Sequence, residues 1–571
     1  MRNFFLLFIA LVTSLVADAF YYNNLNFYPN TDGCELRGYA PNYIVPSSAS
    51  LHIPSYAYDD NGNAYKVNRI ADEAFKGCAE IEQLSIPATV EVIGAKAFMS
   101  CINLKVCELY PTTKEIRDEA FFGCISLVAL STCAERIGSD AFKGCTALRT
   151  VYLGAPMKYI EQGAFIGCTA LTNIDIPHTV EQIGGFPRTQ GAFEDCLSLM
   201  SVTFSYNLSD KKPCLKRIDN YSFKNCIALE RLDFPYSLTH VGIDAFLRCA
   251  SLKHLEWGGP QEINVDKNDF TGVPLSRIVY HGNVRLWDAS DFQKLEFLKE
   301  VRYDTYATQV QGGIYKNLST LKEVHLDKVT RINWSAFMNC TGLTEVDLSN
   351  IEVIENDAFN NCTNLTEVKF GDKITNIPDC LSKSAITTLN IPDNVTSFAT
   401  PTYCEKLTTV TIGDGVEQCT GTFYGCSSLY SLQFGKNTVS VSIQPKSVRK
   451  VVCANPVPPK TGNFQKEVYE LGELIVPPGA SEAYRNALYW KNFYRIIEAE
   501  IGAVESVTTD SDAPVITTGD GYIEVLSTRP TAIYSIDGKL ITLLKKGKHR
   551  ISPDKGVYIL VSGNTTKKFR I

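Results

Sequence analysis

Apolar residues recur along this chain in two alternating rhythms. One is a short alternation, L-x-x-V-x-I, and the other is an Ile followed four residues later by Ala-Phe. Joined, they make the phrase I-x-x-x-A-F-x-x-C-x-x-L-x-x-V-x-I-P. Ile70 to Pro87, Ile137 to Leu153, Ile160 to Pro177 and Ile354 to Phe370 each spell it or a close variant. The Ala-Phe pair stands at Ala74-Phe75, Ala97-Phe98, Ala120-Phe121, Ala141-Phe142, Ala164-Phe165, Ala192-Phe193, Ala245-Phe246, Ala336-Phe337 and Ala358-Phe359. Between Cys249 and Ala336 the pair blurs, yet the strand leucines continue (Leu275, Leu298, Leu321) at a period of about 22 residues.

Each half of the phrase has a physical reading. Alternation puts successive side chains on opposite faces, so L-x-x-V-x-I predicts a strand with one buried side. The Pro that follows cannot donate to a ladder and ends the strand. The Ala-Phe segment predicts a return through a short helical turn, with Phe reaching the centre of the coil and Ala letting the next coil approach. One such unit cannot bury its own apolar face, and stacking does it instead. The fold class expected is a mainly β, right-handed solenoid with short helical turns on its convex side and a small C-terminal β-sandwich. Gly184-Gly185-Phe186-Pro187 and Lys211-Lys212-Pro213 lie in two longer repeats and predict bulging turns.

The repeated A-F-x-x-C-x-x-L core resembles the BspA-type leucine-rich-repeat family of bacterial surface proteins, over roughly residues 40 to 500. The run from Gly258 to Gly313 departs from it, lacking Ala-Phe and Cys. Pro46 to Pro54 with Asn63 to Val67 looks like the family's opening hairpin, and Cys453 to Pro477 like its closing segment. Ser481 is expected to cap a helix from Glu482 to Tyr489, with Trp490 and Phe493 covering the last coil. The resemblance implies adhesion, by binding host proteins or other cells through the solenoid.

The resulting organisation is a signal peptide at 1–19, an N-terminal cap at 20–69, repeats at 70–453, a C-terminal cap at 454–503, a linker at 504–513 and a β-sandwich at 514–571. Arg2, the apolar run Phe4 to Val16 and Ala17-Asp18-Ala19 have the order of an export signal. The run is shorter than the about 20 residues a bilayer span needs, and no later stretch is longer, so no transmembrane anchor is expected. In the last segment, Tyr522 to Val525, Ala532 to Ile536, the turn Asp537-Gly538, Gly556 to Val561 and Lys567 to Ile571 read as short strands. They resemble the sorting domain of proteins handled by type IX secretion.

Composition narrows the function. The 571 residues carry a formal charge of -7 without a basic stripe, which argues against nucleic acid. Of the 19 cysteines, twelve from Cys78 to Cys426 share one slot, three residues before the strand leucine. A column of like-directed side chains neither pairs readily nor converges on a metal, so these are expected to be free packing thiols. Seven histidines look scattered, with no H-E-x-x-H, and neither a nucleophile elbow nor a phosphate loop is present. No enzyme, cofactor or metal is expected.

What remains is the concave strand face, whose outward positions flank the central apolar residue. They include Arg231 and Asp233, His254 and Glu256, and Arg277 and Val279. Further on, Glu300, Glu323, Glu345 and Glu367 hold one position in four successive repeats, followed two residues later by Arg302, His325, Asp347 and Lys369. Like charges abreast destabilise a sheet. The ladder is therefore either a hydrated face balanced by Lys299, Lys322, Arg302 and Lys369, or a site for a basic partner or a cation. Partners expected are extracellular proteins, with a glycan as a second class, and the location is secreted or outer cell surface. A spacer that only extends other surface components is the competing function.

Overall fold

A computed structural model describes residues 19–185, 189–205, 213–443, 445–461 and 464–501, together with seven strands between 515 and 570. The export signal, the linker, the Asp537-Gly538 turn and most of the two insertions fall outside the described residues. The chain divides into two compact units, Met1–Ala499 and Glu500–Ile571.

In the first unit the L-x-x-V-x-I segments are strands that pair in parallel, coil against coil. Twelve of them, from Ala49–His52 and Ile81–Ser85 to Glu323–Leu326, form one sheet. Alternation works as expected: in Thr150–Leu153 and Asn173–Ile176 the first and third residues are exposed and the second and fourth buried. Val279 departs from this, since it is buried although it holds an outward position. It lies in register between the long side chains of Glu256 and Arg302. The Ile that opens each phrase belongs to a second parallel sheet of very short strands, such as Val92–Ile93, Glu115–Ile116 and Arg136–Ile137. The solenoid thus has two faces of parallel strands, each divided into successive sheets, around one continuous apolar core.

The return segments are turns and not the expected helical ones. The residue before the Ala is left-handed in every turn but that of Ala192, as at Glu73, Lys96, Glu119 and Asp140, and so is the residue two after Phe, as at Gly77, Ser100 and Asn339. L-residues in that region do not propagate a right-handed helix. The turn backbone instead bonds to the next coil. Phe75 N–H donates to the Ala97 carbonyl at 2.7 Å, and Phe98 N–H to the Ala120 carbonyl at 2.8 Å.

Phe side chains from successive turns stack in the core. Phe75, Phe98, Phe121, Phe142 and Phe165 lie 5.2–5.5 Å apart, centroid to centroid, with nearly parallel rings. The run that looked degenerate keeps aromatic rings in the core by substitution, with Phe270 and Phe292 meeting edge-on. Phe270, Phe292 and Tyr315 take the Phe place, and Trp257, Tyr280 and Tyr303 enlarge the last strand position. Aromatic volume there stands in for the missing Ala-Phe and Cys.

Both ends of the coil are covered. Phe20–Tyr22, Leu25–Asn30 and Gly33–Tyr39 form an antiparallel meander that leads into Ala64–Ile70, itself paired in a hairpin with Tyr56–Tyr58. At the other end the helix is Ser481–Asn486, shorter than expected, and Ser481 is its first residue rather than its cap. The Ser481 N–H donates to the Glu498 carboxylate at 2.9 Å, so the acceptor comes from a neighbouring strand. Trp490 is buried, with its ring N–H on the Pro459 carbonyl at 2.7 Å.

The second unit contains two antiparallel sheets. One orders Val515–Gly519, Tyr522–Ser527 and Gly547–Ile551; the other orders Leu540–Leu544, Thr531–Ser535, Val557–Ser562 and Thr565–Arg570. Val525, Ile533, Leu544 and Leu560 from both sheets make one small apolar cluster.

Candidate functional site on the long-strand face

Stacking decides which outward residues become neighbours. Glu300 pairs in register with Glu323 and Arg302 with His325, while Glu345 pairs with Glu367 and Asp347 with Lys369. Between these two pairs the sheet opens: among the described residues no ladder joins Glu323–Leu326 to Glu345–Leu348. The repeat from Glu323 to Glu345 is one residue shorter than the one before it. The opening is a groove of about 690 Å³ that leaves Val324 half-buried on its floor. Glu323, His325, Glu345, Asp347, Glu367 and Lys369 all line it, with Lys322 and Thr344. Glu300 and Arg302 lie outside it.

Two of the four basic residues expected to balance the glutamates, Arg302 and Lys369, pair with aspartates. Lys369 pairs with Asp347 at 3.4 Å, not with Glu367, and the hydrogen bond from Ser349 is the main cause of Asp347 sitting below the usual carboxylate range. Arg302 is drawn to Asp327 at 2.7 Å and Asp304 at 3.6 Å. Glu300 is held by Arg277 at 3.2 Å, and His325 sits 3.7 Å from Glu323. Glu345 and Glu367 are exposed, abreast and, among the described residues, without an ion pair. Adjacent strands set such a pair about 4.8 Å apart.

Further up the same face is a cluster that reading along the chain did not assemble. His254 stands in register with Arg231 and Arg277, and Glu256 with Asp233. His254 Nε2 is 3.2 Å from Glu256 Oε2 and 3.5 Å from Asp233 Oδ1. His281, almost fully buried, places Nε2 on Glu256 Oε1 and Nδ1 on Asp304 Oδ1, each at 2.6 Å. Burial alone would raise Glu256, but the hydrogen bonds from His281 and His254 outweigh it and hold the carboxyl below its usual range. The histidines are therefore not scattered in space. The signal for this was the repeated spacing R-x-D and H-x-E in consecutive strands, but only the stacking register turns it into a cluster.

The thiols behave as expected of packing groups. All of those in the column are free, and from Cys101 to Cys249 each donates its S–H to the Phe carbonyl of an earlier coil, as Cys124 does to Phe98 at 3.2 Å. Burial pushes Cys101 and Cys145 up to about 12. Cys404 departs from the rest, because its hydrogen bond with Cys426 draws its thiol down to about 7.

Parallel coils around an aromatic and aliphatic core, with variable polar residues on an open sheet, define a leucine-rich-repeat solenoid. The chain belongs to the BspA type leucine rich repeat family, whose repeat region matches in six copies across residues 68–200, 188–299, 216–344, 287–404 and 330–445. No curated protein matches the chain at a significant level. Among solved structures, it is similar to a leucine-rich repeat protein from Bacteroides ovatus at 22% identity, covering 74% of this chain and 95% of that one, with a TM-score of 0.36. It is similar to a leucine rich cell surface protein from Faecalibacterium prausnitzii at 19% identity, covering 69% and 94%, TM-score 0.30. A leucine rich repeat protein of T. pallidum is 26% identical over 41% of this chain and 87% of its own, TM-score 0.27. Among the described residues no helix is long and apolar enough to cross a membrane.

Proposed function

We propose that this chain is a secreted or cell-surface binding protein without catalytic activity, and that its groove receives a basic segment of an extracellular protein. The observation that supports this is the abreast pair Glu345 and Glu367, without an ion pair among the described residues and lining a groove that Val324 and Val346 also line. Two like charges side by side on a sheet cost stability, and a Lys or Arg from a partner removes that cost. Membership of a family of surface-exposed repeat proteins agrees with this, and so does the export signal read in the sequence. The second unit serves placement in this reading, as a sorting-like module joined through residues 504–513.

The test is a titration of the purified chain with Lys-rich peptides. Exposed ion pairs are individually weak, so binding in the micromolar range is expected, falling as salt screens the charges. A Glu345→Gln, Glu367→Gln double variant should bind several-fold more weakly. Equal binding by the variant and the wild type would remove the groove from the reading. Residues 20 to 500 used as bait against matrix proteins, cell-surface proteins and glycans should retain a protein. Retention of nothing at micromolar concentration would favour a spacer that extends other surface components.

A further inference from the structure

The cluster above the groove has the geometry of a metal site. We propose that Asp233, His254 and Glu256 bind a divalent transition metal of the zinc class, with a coordination position left open to solvent. Tetrahedral bonds of about 2.0–2.1 Å from nitrogen and oxygen donors set neighbouring donors about 3.3–3.4 Å apart. The distances from His254 Nε2 are 3.2 Å to Glu256 Oε2 and 3.5 Å to Asp233 Oδ1, one on each side of that value. All three donor atoms lie within 4.8 Å of one another.

Two further observations point to a ligand. Asp233 Oδ1 is covered and, among the described residues, accepts no hydrogen bond; its nearest cationic neighbour is His254 Nε2 at 3.5 Å, while Oδ2 takes Arg231 and the side chain as a whole stays part-exposed. A cation at this point would satisfy that oxygen. Glu256 is also held from behind, because its other oxygen is fixed by His281, which Asp304 anchors in turn. A carboxylate–histidine–carboxylate chain of this kind orients metal ligands and raises affinity. One imidazole with two carboxylates suits zinc and its neighbours, and the absence of thiolate disfavours softer ions.

Arg231 is the competing cation. Its guanidinium reaches Asp233 and, at 3.2 Å, Glu256 Oε2, so it neutralises the donors that a metal would take. The metal would have to displace it, which sets a signature that mere surface binding does not share: loss of the arginine should tighten binding.

The experiment uses the tag-free full mature chain, stripped with chelator and titrated with Zn²⁺ by calorimetry, and with Co²⁺ by absorption. Expected are one saturable equivalent and a cobalt spectrum without the sulfur charge-transfer band that thiolates give. His254→Ala and Asp233→Asn should each weaken binding more than about tenfold, and His281→Asn by about tenfold. Arg231→Gln should tighten it. Thermal melting checks that each variant is folded, and exposed Asp233 keeps the test informative if His254→Ala is not. No saturable Zn²⁺ binding at micromolar concentration would overturn the proposal. So would a thiolate cobalt spectrum, binding unchanged in Asp233→Asn, or weaker binding in Arg231→Gln.

Discussion

The side chains that recur in every coil do so because each meets a copy of itself. Phe142 lies flat between Phe121 at 5.2 Å and Phe165 at 5.5 Å. Replacing it removes ring contacts on two sides and leaves a cavity between rigid neighbours. Phe142→Ala should cost about 3–5 kcal/mol, read as a lower urea midpoint of the solenoid; a loss below 1 kcal/mol would mean the coils can close the gap. The cysteines recur for a different reason. A thiol is small enough to sit behind the stack and can still donate to the Phe carbonyl of an earlier coil, which Ala and Val cannot do. With burial holding Cys101 and Cys145 at about 12, Ellman's reagent at pH 8 should leave the column thiols from Cys101 to Cys249 untouched in the native protein and titrate them in urea. Rapid native reaction of those thiols would contradict the packing described.

At the scale of elements, the two rhythms of the sequence were not equally informative. The strand is legible because a period of two directly names the buried side. The return segment is not, because its conformation depends on two left-handed residues, such as Asp140 and Gly144, that leave no apolar pattern. Non-glycine residues hold that conformation because the bonds from one turn to the next, like Phe98 N–H to Ala120, stabilise it from outside the segment. The closing helix shows the same dependence. Its first N–H groups are met by Glu498, seventeen residues away, and the hydrogen bonds from Ser481 and Gly479 draw that carboxyl down to about 2. A carboxyl depressed on folding stabilises the fold above its ordinary value and stops doing so as pH falls through the depressed one. Wild type should therefore melt above Glu498→Gln at neutral pH, and the gap should shrink between pH 5 and pH 2. A gap that grows on acidification would rule out Glu498 as the cap.

At the scale of the whole molecule, stability passes from coil to coil, so the ends matter more than their length suggests. The last long strands, Lys450–Cys453, Glu473–Val476 and Arg495–Glu498, continue the parallel sheet beneath Trp490 and Phe493. A chain ended at Cys453 would expose a strand edge and an apolar coil together. It should aggregate in size-exclusion chromatography where the chain ended after residue 501 runs as a discrete species. The candidate sites also belong to this scale. The groove needs a sheet that opens between two repeats, and the histidine cluster needs four successive strands in register, with residues from Arg231 to Asp304.

The amino-acid sequence by itself determined the coil, its core columns, its free thiols and the row of glutamates, because each rests on a pattern contained in one repeat and copied into the next. It also carried most of the groove: six of the eight residues picked from outward positions line it. Tertiary structure decided the second sheet, the turn conformation and the neighbours of each exposed charge. It paired Arg302 and Lys369 with aspartates and left Glu345 and Glu367 without an ion pair among the described residues. It also gathered Asp233 and His281 from the repeats on either side of the one that holds His254 and Glu256. A periodic sequence states which way a side chain faces, whereas which charges meet depends on register between coils, and register is set by turn geometry and repeat length accumulated along the stack.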